Sequence, residues 1–192
     1  MEAIRAGRCA VIPTDTVYGL VASPAEASVR GLYRLKGRDS GQPTALLASS
    51  VEELFECIPE LRGRAESIAG VLLPGPYTLI LANPAHRYPW LSGTRPDAIG
   101  VRVPKLTGRG REVLDRVGVL AATSANLPGG PDALRLADVP AELLVDAVGV
   151  DGGELPGTPS TVIDFTGPEP VVLREGAAPS AEALRRVADA LD

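Results

Sequence analysis

Thr14, Asp15 and Thr16 stand together in Val11-Ile-Pro-Thr-Asp-Thr-Val-Tyr-Gly-Leu20, directly after a short apolar run that Pro13 ends. A second small polar group, Thr123-Ser-Ala-Asn126, follows another apolar run, Val119 to Ala122. Cations recur in the same kind of place. Lys36 and Arg38 flank Gly37 at the end of a helical pattern, Arg102 interrupts Ile99–Val103, and Arg174 closes the run from Pro170. Thr78 and Ser160 add hydroxyls beside two further apolar stretches. Arginine forks suit carboxylate and phosphate, lysine supplies a point charge, and hydroxyls and amides fill the remaining lone pairs. If these groups converge, they form a pocket for a molecule carrying several negative charges. Arg102 sharpens the point, because a guanidinium in an apolar strand is costly unless it meets solvent or an anion.

Other chemistries find little support. Cys9 and Cys57 are too few for a disulfide framework, and one histidine, His86 in a proline-rich loop, with no Cys-x-x-Cys makes a zinc site of the usual ligands improbable. The Gly108-Arg-Gly110 pair has Val113 where a dinucleotide fingerprint needs its third glycine, and no phosphate-loop motif occurs. No Cys-His or Ser-His arrangement offers a covalent nucleophile. A net charge of −5 argues against whole-molecule attraction to nucleic acid, though not against a local basic groove.

The elements that must position these groups are short. The 192 residues, 45% hydrophobic, suit one large domain or two small ones at roughly 100–200 residues each. No apolar run approaches the ~20 residues of a membrane span, and the first residues lack a signal peptide's apolar core, so a soluble cytoplasmic chain is expected. Strands are expected over Cys9–Ile12, Thr44–Ala48, Tyr77–Ala82, Ile99–Val103, Val119–Ala122, Val145–Val150, Thr158–Asp164 and Pro170–Arg174. Ser23-Pro-Ala-Glu26 predicts a capped helix carrying Val29, Leu32, Tyr33 and Lys36 inward to a stop at Gly37. Ser50-Val-Glu-Glu53 predicts a second cap. Helices are also expected over Glu60–Gly70, Arg109–Val117 and, capped by Ser180, at the end of the chain; residues 137–144 hold at most a short one, broken by Pro140. Asn83–Asp97 reads as a long loop. The interleaving predicts an α/β fold, a single domain over 1–192 with a mixed sheet and flanking helices.

Seven motifs in order then resemble one family. They are Pro13-Thr-Asp-Thr-Val-Tyr-Gly-Leu20, Lys36-Gly-Arg38, Leu73-Pro-Gly-Pro76 with Thr78, Gly100-Val-Arg-Val-Pro104, Ala122-Thr-Ser-Ala-Asn126, Pro159-Ser-Thr-Val-Ile-Asp164 and Leu173-Arg-Glu-Gly176. Together they resemble the YrdC family, the L-threonylcarbamoyladenylate synthases, over nearly the whole chain. That likeness implies a single-domain, twisted mixed sheet with flanking helices around a concave, positively charged cavity. The resemblance implies that L-threonine, bicarbonate and ATP combine to give threonylcarbamoyl-AMP and pyrophosphate. It also implies partner transferase proteins that move the threonylcarbamoyl group to the adenosine beside the anticodon of tRNA. It places the nucleotide at Lys36, Arg38, Ser124 and Asn126, with Arg174 as a further phosphate contact and Thr78 nearby. Threonine falls to Thr16, Arg102 and Ser160, with Thr14 beside them; its carboxylate is the anion expected for Arg102. Mg²⁺ is expected with ATP, and no tightly bound cofactor.

Departures from the family pattern fall mainly in one loop. Asp39-Ser-Gly-Gln-Pro-Thr44 replaces the usual basic and glycine-containing run before Pro-Leu, Leu47 stands nearest a histidine that some members carry, and Pro128 replaces a common serine. The extra C-terminal domain of longer members is expected to be absent. Two rivals remain. A non-catalytic double-stranded RNA binder or ribosome-assembly factor of the same fold would use the same concave face. The YrdC-like hydrogenase-maturation enzymes are long and rich in zinc-finger-like cysteines, which two cysteines oppose.

Overall fold

The computed structural model describes residues 1–39 and 41–191; Ser40, in the loop after Arg38, and Asp192, the last residue of the expected domain, lie outside the described residues. Among the described residues nine strands form one mixed sheet: β1 (Cys9–Ile12), β2 (Gly19–Ala22), β3 (Ala45–Ala48), β4 (Tyr77–Ala82), β5 (Ala98–Arg102), β6 (Val119–Ser124), β7 (Ala147–Gly149), β8 (Thr161–Asp164) and β9 (Val171–Arg174). Their spatial order is β7-β1-β2-β6-β3-β5-β4-β8-β9. The β1–β7, β3–β5 and β4–β8 pairs are parallel and the others antiparallel.

Alternation along the strands divides the core in two. On one face Val11, Leu20, Leu46, Leu79, Val101 and Ala121 pack against helices α2 (Glu26–Lys36), α3 (Val51–Cys57), α4 (Arg64–Leu72), α6 (Ala141–Leu144) and α7 (Ser180–Leu191) through residues such as Val29, Leu32, Leu54, Ile68, Leu143 and Val187. On the other face Ala10, Ile12, Val21, Leu47 and Leu120 pack against α1 (Glu2–Arg5) and α5 (Gly108–Val117) through Ile4 and Leu114. Two short helices cannot cover nine strands. The part of that second face formed by β3, β5, β4 and β8 is left open, and the site lies there.

Several expected boundaries shift for local reasons. Helix α2 starts at Glu26 with Ala25 at its cap and no side-chain cap bond; the Ser23 hydroxyl accepts only from Ala25 N, at 3.4 Å, in a turn before the helix. Its end is as expected: Gly37 is left-handed (φ 62°), and the nested bonds Gly37 N to Arg34 O and Arg38 N to Tyr33 O close it. Ser50 does cap α3, accepting from Glu53 N at 3.1 Å. Helix α4 begins at Arg64, not Glu60, because Gly63 takes a positive φ and the preceding residues form turns. Ser180 is not a cap, since its hydroxyl donates to Glu175. The Asn83–Asp97 stretch is organised by buried Asn83, which accepts from Arg87 N and donates to Arg87 O and Pro96 O.

Candidate functional site

A cavity of about 640 Å³ opens on the uncovered sheet face. Its floor is made by what the strands omit. Ala45, Ala98, Gly100 and Ala122 point into it from β3, β5 and β6 and leave room where larger side chains would pack. All ten residues singled out by sequence, Thr14, Thr16, Lys36, Arg38, Thr78, Arg102, Ser124, Asn126, Ser160 and Arg174, line this one space. They fall into three hydrogen-bonded groups.

The first group sits at the carboxyl end of β6. Helix α2 packs on the far face of the sheet, and its last residue, Lys36, carries its ammonium round the strand end. There Nζ lies 3.1 Å from Thr123 Oγ1, 2.5 Å from Ser124 O, 3.3 Å from Ser124 Oγ and 3.2 Å from Asn126 Oδ1. These are four acceptors for three protons. Arg38 donates to Thr123 Oγ1 at 2.8 Å, to Gln42 Oε1 at 2.8 Å and to Pro43 O at 2.7 Å. Burial, then repulsion from Arg38, pulls the Lys36 pKa down to about 8, against an opposing pull from Asp132. A pocket that strains to hold two cations is prepared for an anion.

The second group follows β1. Thr14 Oγ1 donates to Val17 O at 2.6 Å, which uses its only proton. The 3.0 Å contact between Thr14 and Thr16 hydroxyls is therefore a donation from Thr16. Thr16 Oγ1 in turn accepts from Arg102 Nη2 at 2.9 Å. The same Nη2 donates to Asp15, so a side chain of the protein itself already sets an anion beside Arg102. Burial pushes the Arg102 pKa down, and Asp15 opposes that shift.

The third group joins Thr78 of β4 to Ser160 before β8, hydroxyl to hydroxyl at 2.8 Å. Arg174 of the edge strand β9 donates to Ser160 O at 3.0 and 2.8 Å and to Ser160 Oγ at 3.2 Å. Thr78 and Arg174, expected on a nucleotide side, and Ser160, expected on an amino-acid side, thus form one cluster. Five cations line the cavity (Lys36, Arg38, Arg95, Arg102, Arg174) against a single lining carboxylate, Asp132, among the described residues.

This geometry can be set beside known proteins. The Sua5/YciO/YrdC family model, described as telomere recombination, matches residues 2–176. The chain belongs to this family. It is 34% identical over 185 residues to the threonylcarbamoyl-AMP synthase of Pyrococcus abyssi, a match covering 93% of this chain and 53% of that one. The Homo sapiens threonylcarbamoyl-AMP synthase is 32% identical over 174 residues, covering 86% and 61% respectively. P. abyssi Sua5 complexed with L-threonine has the same fold with a TM-score of 0.81 at 32% identity, over 96% of this chain and 55% of that one. The chain thus spans between half and two-thirds of the length of these relatives.

Sequence reasoning missed several residues that belong to this cavity or its support. Thr123 opens the second polar group yet was assigned no role, and it is the shared acceptor of Lys36 and Arg38. Its place beside Ser124 was the available signal. Asp15 was grouped with Thr14 and Thr16 but given no role, because Arg102, which it pairs, lies 87 positions away and nothing local pointed to the pairing. Arg95 lines the rim and is held at 2.6 Å by Asp164, whose pKa hydrogen bonds from Arg95 and Thr166 pull down in spite of burial. Neither cysteine joins the site: Cys9 is buried, its thiol pushed up to about 11 by burial, and Cys57 is likewise free. His86 is exposed in its loop. Among the described residues no helix is long and apolar enough to cross a membrane.

Proposed function

We propose that this chain joins L-threonine, bicarbonate and ATP into threonylcarbamoyl-AMP and pyrophosphate. The observation that carries this reading is the convergence of five cations and ten expected site residues on one cavity, in a chain 34% identical to a threonylcarbamoyl-AMP synthase. Lys36, Arg38 and Arg174 would meet the polyphosphate, and Ser124, Asn126 and Thr78 the rest of the nucleotide. Arg102 would meet the carboxylate of threonine, with Thr14, Thr16 and Ser160 around it.

Carbamate formation joins the threonine nitrogen to the carbon of bicarbonate and sheds water. A carbamate oxygen then attacks the α-phosphorus, the bond to the bridging oxygen breaks, and pyrophosphate leaves with that electron pair. Every reacting group comes from a substrate, so the side chains have only to bind, orient and neutralise. No cysteine or histidine lines the cavity among the described residues, which suits a reaction without a covalent enzyme intermediate. Mg²⁺ would arrive with ATP. Asp132 is the one lining carboxylate, and no cluster of three ligating side chains exists among the described residues. That donor set fits an ion held mainly by phosphate oxygens and water. Bound there, it would offset phosphate charge.

The product would pass to transferase proteins that modify tRNA adenosine next to the anticodon, in the cytoplasm. Pyrophosphate should appear only when ATP, threonine, bicarbonate and Mg²⁺ are all present. A coupled pyrophosphate assay in degassed buffer, restoring each component in turn, tests this. Release with ATP alone would mark a simple ATPase, and no release in any mixture would favour the RNA-binding alternative.

A further inference from the structure

Asp15 is not part of the cavity lining, yet it is tied to Arg102, a buried cation in it. Its side chain and that of Arg102 are each 10% exposed. One carboxylate oxygen accepts from Arg102 Nη2, and the other accepts from the backbone N–H of Lys105 at 3.0 Å. The carboxylate therefore bridges two loops, the one after β1 and the one after β5. Prolines 13 and 104 stiffen those loops. Both Nη2 protons are taken, by Asp15 and by Thr16, whose own proton is locked into the Thr14–Val17 chain. Arg102 Nε is buried with no partner, and Nη1 has none among the described residues. Nη2 is pinned, Nε is shielded, and Nη1 is the nitrogen left for a ligand.

As a device for stability such a pair is weak, because burying both charges offsets most of their attraction. As a device for aim it is effective, because a planar fork held at one nitrogen has a fixed plane. We propose that Asp15 is a positioning residue for amino-acid recognition: it orients the Arg102 guanidinium so that its free Nη1 group meets the carboxylate of the substrate. The inference rests on the synthase reading above for the identity of that carboxylate. It does not rest on that reading for the aim of Arg102.

Two measurements separate the two ideas. In the full chain without substrate, the Nε–H NMR signal of Arg102, assigned by its loss in Arg102→Lys, should be sharp and slow to exchange. In Asp15→Asn it should broaden or exchange faster. In the pyrophosphate assay, Asp15→Asn should raise the KM for threonine by about 10- to 100-fold, as misplaced binding groups do, with the KM for ATP unchanged. Asp15→Glu, which restores the charge one methylene further out, should recover part of the loss. If Asp15→Asn melts below the assay temperature, the comparison is made with Asp15→Glu at intermediate loss. An unchanged Nε–H signal, an unchanged threonine KM, or an equal rise for both substrates overturns the proposal. A wild type that needs no threonine, with the NMR difference intact, overturns the synthase reading and leaves the aim of Arg102 standing.

Discussion

At the scale of residues, Lys36 sets a pH dependence with a defined sign. Its pKa falls from 10.5 to about 8 in the folded protein. Between those values the unfolded chain binds more protons than the native one, so Lys36 makes the native state more stable as pH rises through that window. ATP binding runs the other way. A polyphosphate favours the ammonium, so above about pH 8 the amine must take up a proton to bind, and affinity should fall by up to about tenfold per pH unit. Calorimetric titration in buffers of different ionisation enthalpy would register that uptake. Arg102→Lys is the matching test at the other pocket. It keeps the charge but loses the fork, so threonine dependence should weaken while the ATP KM holds. Lys36 was legible in the sequence because helical spacing turned it inward, and it is only 5% exposed. The pairing of Asp15 with Arg102 was not, because it joins the loop after β1 to the end of β5, which only the assembled sheet brings together.

At the scale of elements, glycine and alanine positions matter more than the caps that sequence patterns favoured. Ser23 and Ser180 looked like helix caps, but one sits in a turn and the other binds Glu175, because a hydroxyl takes whichever partner the local chain offers. Eight of the nine described strands were legible to within a few residues, since apolar runs bounded by proline and glycine leave few alternatives. Strand β2 (Gly19–Ala22) was missed, because its residues follow the polar Thr14–Thr16 loop after only Val17 and Tyr18, with no break to mark a new strand. Gly110 lies inside α5, where alanine is ordinarily favoured by about 1 kcal/mol. Here a Cβ would stand 2.3 Å from Pro13 O. Gly110→Ala should therefore destabilise by about 1–3 kcal/mol as overpacking does, lowering the melting temperature. It should also lift the Thr14–Thr16 loop and weaken threonine use more than ATP use. Gly100 makes the opposite case. A Cβ there meets nothing closer than 3.8 Å, so Gly100→Ala should fold normally. Gly100→Leu should melt like Gly100→Ala yet lose ligand binding, because its side chain would stand in the cavity; thermal shift with and without ATP would separate the two effects.

At the scale of the whole molecule, the charge that matters is not the net charge. The chain carries −5 overall, while its cavity lines five cations against one carboxylate. A concave cluster of one sign focuses its field and speeds the arrival of opposite charge, and the effect is screened within about 8 Å at physiological salt. The association rate of ATP, followed by stopped flow, should fall as salt is added even though the protein is acidic. A net figure read from composition could not reveal this, because it averages the concave lining with the outer surface. The cavity has one more property, visible in its numbering. Its groups come from residue 14 at one end to residue 174 at the other, and the Ser160 backbone that receives Arg174 faces groups delivered by the first strand-to-strand loop. Contacts so far apart in the chain close late and slowly. During refolding, a fluorescent nucleotide should acquire its binding signal after the fluorescence of Trp90 has settled, so the chain would be compact before it is competent.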